Sequence, residues 1–269
     1  MNVSMVSVRN CIIRIILPVL AWTVTMPAVH CAQSEKDQVL AKAGQSYYNL
    51  RRSGLIEFHS NIKPNWDLLL NGVDTKTGGT NLLDGLQFSV SIDAESNLRM
   101  EHDAGIAPPN QKSREEFDKI FKGMDDALSS FFVTWSIFML TSPFPKVGSE
   151  YELKDIAGQY RFSHKERVGD VLTITDKNFM IIEMIVFGEN FTASLKPVLE
   201  KTARGYILKA YTGSYQTPSG ARETVLKVWL DYQEIRGLQL PRKVNLDTVY
   251  EGKPAQMEWL FTDYQVKVR

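Results

Sequence analysis

Residues 224–269 read TVLKVWLDYQEIRGLQLPRKVNLDTVYEGKPAQMEWLFTDYQVKVR, and this stretch decides the fold. Apolar and polar residues alternate through Thr224, Leu226, Val228, Leu230 and Tyr232, and again through Leu238, Leu240, Val244, Leu246, Thr248 and Tyr250. Period-2 alternation is the pattern of strands with one buried face and one wet face. Arg236-Gly237 and Glu251-Gly252 supply turn residues between three such runs. Pro241 lacks a ladder donor and is expected at an edge or a bulge. In the third run the apolar phase slips: Met257, Trp259 and Phe261 are odd, whereas Tyr264, Val266 and Val268 are even. A one-residue slip predicts a bulge near Thr262-Asp263. The expected product is a curved antiparallel meander, and a curved sheet has a concave side.

Working outward, the first 32 residues stand apart from the rest. Arg9 and Arg14 precede an apolar run, Ile15 to Val24, and Ala28 to Ala32 offers small residues for cleavage, so residues 1–32 read as a secretory signal peptide. Arg14 and Pro18 interrupt the run, which argues against a membrane anchor. Both cysteines, Cys11 and Cys31, lie in this leader. Cleavage after Ala32 leaves a chain without disulfides, thiol nucleophiles or thiolate metal sites. Cleavage before Cys31 would create a lipoprotein, but His30 is not the small residue such a site wants. The expected destination is the periplasm or the exterior.

The chain carries 31 basic and 31 acidic residues; without Arg9 and Arg14 the balance is 29 against 31, a net of −2. No basic block or stripe appears, so the footprint of a nucleic-acid partner is absent. At 43% hydrophobic and 23% charged, the composition is that of an ordinary globular chain.

Ser34 to Arg52 has helical spacing through Val39, Leu40, Ala43, Tyr47 and Leu50, with Gly54 as an expected C-cap. Leu55 opens a strand that Pro64 ends, and Trp66 to Leu70 suggests one or two helical turns. Leu86 to Asp93 and Asn97 to His102 predict a hairpin. Gly78-Gly79 and Pro108-Pro109 mark loops. Ser113 is the expected N-cap of a helix to Leu140, with Glu115 and Glu116 in its first turn. Its second half, FFVTWSIFML, is ten residues without a charge, too short to cross a bilayer and therefore in need of cover. Two readings stand: the helix caps the sheet as core, or it lines a lipophilic cavity. On the second, Phe121, Met124, Phe131, Phe132, Trp135, Phe138 and Met139, with Trp229 and Trp259 of the meander, are candidate ligand contacts.

From Tyr151 to Tyr215 short β segments recur every eight to twelve residues between turn residues, which suggests one antiparallel sheet or open barrel. Met180 to Phe187, apolar on both faces except for Glu183, predicts a central strand covered on both sides. No repeat or linker interrupts residues 33–269, so a single domain is expected.

Motifs for chemistry are sparse. His59, His102 and His164 are each isolated, and no Gly-x-Ser-x-Gly elbow, calcium loop or phosphate cradle is present. The expectation is a binding protein, not an enzyme, with no cofactor and no metal.

The closing VWLDYQEIRGLQLPRKVNLDTVYEGKPAQMEWLFTDYQV, with the signal peptide, YYNLRRSG and LIEFHS, resembles the LolA-like superfamily of periplasmic proteins. That group includes lipoprotein carriers and the sensor domain of RseB-type regulators. The resemblance implies an α+β fold: a curved antiparallel sheet or incomplete β-barrel covered by helices on its concave side. It also implies an apolar cavity for an acyl chain or lipoprotein lipid, with the RseB-like alternative of a packed interior and a protein partner in the envelope. The segments Lys63 to Gly85 and Ala104 to Ser149 are longer than a minimal carrier needs, and no arginine is assigned to the cavity mouth.

Overall fold

The computed structural model describes residues 28–69, 83, 85–103, 105, 110–217, 223–250 and 253–269. The leader before Ala28 and the expected loops at Gly78-Gly79 and Pro108-Pro109 lie outside the described residues.

The final meander forms as its alternation dictates: β10 (Glu223–Ile235), β11 (Leu238–Tyr250) and β12 (Lys253–Val268). Val228, Leu230, Leu238, Leu240, Val244, Leu246, Trp259 and Phe261 are all buried. The expected phase slip is real. His59 faces Gln265 but Asn61 faces Thr262, so β12 spends one extra residue at Asp263, whose φ is +54°. Side chains hold this bulge: Ser60 Oγ donates to the Thr262 carbonyl at 2.8 Å, and Thr262 Oγ1 and Asn61 Nδ2 donate to the Asp263 carboxylate. Pro241 also lies at a register shift, between Asp231–Lys243 and Tyr232–Pro241, and beyond the end of the β11–β12 ladder. Its missing donor therefore costs no hydrogen bond.

β12 also joins the two ends of the chain. On one side it pairs with β11; on the other it pairs with β1 (Leu55–Pro64), which carries the hairpin β2 (Gln87–Ile92) and β3 (Leu98–Asp103). The remaining strands are β4 (Glu152–Ile156), β5 (Gln159–Glu166), β6 (Gly169–Thr175), β7 (Ile181–Phe187), β8 (Thr192–Thr202) and β9 (Gly205–Gln216). They continue the meander to give one open, antiparallel twelve-stranded sheet in the order β3-β2-β1-β12-β11-β10-β9-β8-β7-β6-β5-β4. Register shifts in β1–β12, β6–β7, β8–β9 and β10–β11 bend it.

Among the described residues three helices are delimited: α1 (Ala28–Gln45), the single turn α2 (Trp66–Leu69) and the 29-residue α3 (Gln111–Met139). At 1.5 Å per residue α3 is about 43 Å long, enough to run from β3 at one flank to β9 past the middle of the sheet, and it packs on both. Its N-cap is Asn110, not Ser113; Asn110 Oδ1 accepts from the Ser113 N–H at 2.9 Å. The reason is local: an Asx side chain reaches the N–H three residues on, and that N–H belongs to Ser113.

α1 ends at Gln45, earlier than its spacing suggests, because residues 46–54 are used to lock three elements together. Tyr47 bridges to Tyr206, Tyr48 N–H donates to the Tyr206 carbonyl, and Leu50 N–H donates to the Met139 carbonyl at 2.8 Å. Arg51 donates to the carbonyls of Leu55, Ile56 and Asp93, and Arg52 to those of Gly44 and Tyr47. The run YYNLRRSG is thus a latch between α1, the end of α3 and the β8–β9 turn. Gly205 makes the latch possible. Its φ is +112°, and a Cβ there would lie 2.7 Å from the Ser46 carbonyl oxygen.

β7 departs from expectation. It lies between β6 and β8, but its convex side is open: Glu183 accepts from Ser194 Oγ at 2.6 Å and faces Lys196 at 3.7 Å, and Phe187 is exposed. A continuous apolar run reads as a strand covered on both faces, but among the described residues no element packs on the convex side, and Ile182 and Phe187 stay exposed.

Candidate functional site: an apolar cleft beside the long helix

The uncharged half of α3 divides its side chains between two surroundings. One stripe is core. Phe131 lies 6.0 Å from Trp259 and 6.4 Å from Phe261; Phe132 lies 6.0 Å from Phe261; Trp135 meets Phe58 edge-on at 6.1 Å. Phe138 reaches Tyr47 at 6.3 Å, and Met124, Leu128 and Met139 are buried in the same cluster. The second stripe, Ser130, Thr134, Ile137 and the flank of Phe138, faces a cleft of about 330 Å³.

The sheet supplies the opposite wall. Pairing registers place Val186, Ala193 and Tyr215 in one row, and Met184, Leu195, Gly213 and Leu226 in the next. Tyr211, paired with Val228, closes the floor. The cleft exists because two places on this face, Gly213 and Ala193, carry almost no side chain between neighbours that do. At its rim, Phe191 stacks on the half-exposed Tyr215 with ring centroids 5.4 Å apart.

The lining is apolar, and no carboxylate, amine, guanidinium or imidazole is among it. It holds two phenols, Tyr211 and Tyr215; burial pushes that of Tyr211 above the usual phenol range, with the Thr134 side chain pulling the other way. Two other concavities have a different character. One, of about 410 Å³, is lined by Glu57, His59, Asp93, Arg99 and Lys267, which includes the ion pairs Lys267–Glu57 and Arg99–Asp93. The other, of about 420 Å³, lies at Lys63, Trp66 and Gln87.

The candidate contacts named from sequence fall in four places. Phe138 lines the cleft. Phe131, Phe132, Trp135, Met139, Met124 and Trp259 pack in the core behind the opposite stripe of α3, and Phe121 stacks on His102 at 4.3 Å near β3. Trp229 is 42% exposed on the convex face, since its neighbours Val228 and Leu230 point inward. Sequence reasoning missed Ser130, Thr134, Ile137, Tyr211 and Gly213. A visible signal was the lone glycine in YTGSY, a strand-interior position that costs stability unless space is needed there.

The histidines are not brought together. His59 lies on β1, His102 on β3 beside Asp125 at 3.2 Å, and His164 on β5 beside Glu166 at 3.5 Å, with β3 and β5 at opposite flanks of the sheet. Among the described residues no three His, Cys, Asp or Glu side chains gather as a metal site would require. No helix among them is long and apolar enough to cross a membrane.

No family model, curated protein or solved structure matches this chain.

Proposed function

We propose that this protein is an envelope binding protein of the LolA-like kind, acting in the periplasm or outside the cell, which holds an acyl chain or the lipid of a lipoprotein without chemical conversion. The observation that carries the reading is the uncharged apolar cleft between α3 and strands β7 to β10. Apolar contents need no specific polar partner for affinity, because each buried methylene contributes about 0.8 kcal/mol. The open twelve-stranded sheet with a helix across it, and the leader that reads as a signal peptide, are the supporting features.

A second reading has its own observation. Seven of the nine aromatic and methionine side chains first assigned to a cavity belong to the buried core, Phe138 among them with one flank on the cleft, so most of the inner face is filled. A filled interior favours an interaction or sensor module that meets a protein partner in the envelope.

Native mass spectrometry of the protein isolated from its own envelope separates the two. Co-purifying lipid, lost on delipidation and regained on exposure to lipid, supports the binding protein. A stoichiometric protein partner with no lipid overturns it in favour of the module.

A further inference from the structure

Gly213 sits in the middle of β9, paired with Leu195 on one side and Leu226 on the other, both large apolar residues on the same face. Its backbone is not in the left-handed region, so the conformation does not call for glycine. Space does not call for it either: a Cβ there would meet nothing closer than the Ser194 carbonyl oxygen, at 4.0 Å. A glycine inside a central strand weakens the strand and leaves a gap in the packing. What the gap produces is a notch one side chain wide in the wall of the cleft, opposite Thr134 and Ile137.

We propose that Gly213 is the specificity-determining residue of the cleft, and that its notch admits the end of a single unbranched acyl chain. This rests on the lipid-binding reading above and names the class of ligand within it. The lining offers no group to pair with a charge, so the complementary contents are neutral hydrocarbon, with a head group left in water at the Tyr215 rim. A volume of about 330 Å³ is at the small end of ligand sites, which run to about 1,000 Å³. It suits one chain and not the two or three of a whole lipid. The notch is narrow because Leu195 and Leu226 flank it, which disfavours a branched or cyclic end.

The test is a series of saturated fatty acids, from octanoate to hexadecanoate and below their aggregation limits, displacing a hydrophobic dye from the delipidated full chain. Wild type should gain about fourfold in affinity per added methylene until the cleft is full, then level off. Gly213→Leu should fill the notch: its plateau arrives at a shorter chain, affinity for the longest acids falls at least about tenfold, and short acids bind as before. Its melting temperature should not fall. Gly213→Ala, a smaller step, should shift the plateau less and serves if the leucine variant does not fold. A wild type that binds no acid of any length overturns the lipid reading and this inference with it. A wild type that binds, with both variants following the same length dependence, overturns the role of Gly213 alone, as does a folded Gly213→Leu that weakens all lengths equally.

Discussion

The Asn49 side-chain amide donates to the Leu140 carbonyl at 2.9 Å, across 91 residues of sequence. The same nitrogen donates to the Thr141 carbonyl at 2.9 Å, and Asn49 Oδ1 accepts from the Arg52 N–H. The last carbonyls of a helix lack partners within it, and here a residue from the α1–β1 connection supplies them. The position of α3 over the sheet, and with it one wall of the cleft, is therefore fixed from a distant part of the chain.

Asn49→Ala should leave the buried Leu140 carbonyl and the part-buried Thr141 carbonyl without this partner and destabilise by about 1–3 kcal/mol. Asn49→Asp should cost at least as much, since a carboxylate cannot donate to either carbonyl. Urea unfolding midpoints measure both, and an alanine variant of wild-type stability would show that water replaces the amide.

Trp135 and Ile137 should respond in opposite ways. Trp135 is fully buried against Phe58, so Trp135→Ala should cost about 3–5 kcal/mol while dye binding per folded molecule stays near wild type. Ile137 is half-buried and faces the cleft, so Ile137→Gln should lower dye affinity with a stability change below about 1 kcal/mol. Thermal unfolding and binding titrations on the same delipidated samples read both. Equal binding losses would mean that the two stripes of α3 are not separate.

Gly205→Ala tests the latch. An added Cβ meets the Ser46 carbonyl oxygen at 2.7 Å, and φ of +112° is unfavourable for alanine. A loss well above about 1 kcal/mol is expected. Hydrogen exchange at Tyr48, whose N–H donates to the Tyr206 carbonyl at 2.9 Å, should quicken along with it. Unchanged exchange there would dissociate the glycine from the contact.

His164 should make stability fall on acidification. Its side chain is 10% exposed, and burial pushes the imidazole below its ordinary 6.5, with Glu166 opposing in smaller measure. Between the folded and unfolded values the unfolded chain binds the extra proton, so this contribution is intact above 6.5 and is lost progressively as pH falls from there through the lower folded value. The difference between wild type and His164→Gln, followed from about pH 8 to about pH 5, isolates the residue. A difference that stays constant with pH would contradict the assignment.

The sheet was legible in the residues because its signals are local. Alternation in 224–250 places Val228, Leu230, Val244 and Leu246 inward, and the slip after Phe261 locates the bulge at Asp263 within a residue. Period 2 leaves a strand little freedom once one face is buried. The same logic assigned the apolar spacing of 117–139 to a buried helix, and α3 is one.

By itself, then, the sequence determined which segments are strands, where the last one kinks, and that the uncharged half of α3 must be covered. Tertiary structure decided what covers it. Hydrophobicity marks a side chain for burial but does not say which neighbour buries it: Trp135, a candidate contact from the sequence, packs in the core, whereas Ile137, two residues on and not a candidate, faces the cleft. Trp229 is out of phase with Val228 and Leu230, so the alternation that points those two inward places it outside, where it lies, and its size alone made it a cavity candidate. The cleft itself follows from two absences, at Ala193 and Gly213, on strands whose partners are set by register across the sheet. An absent side chain has meaning only beside the side chains that surround it, and those come together only in the fold.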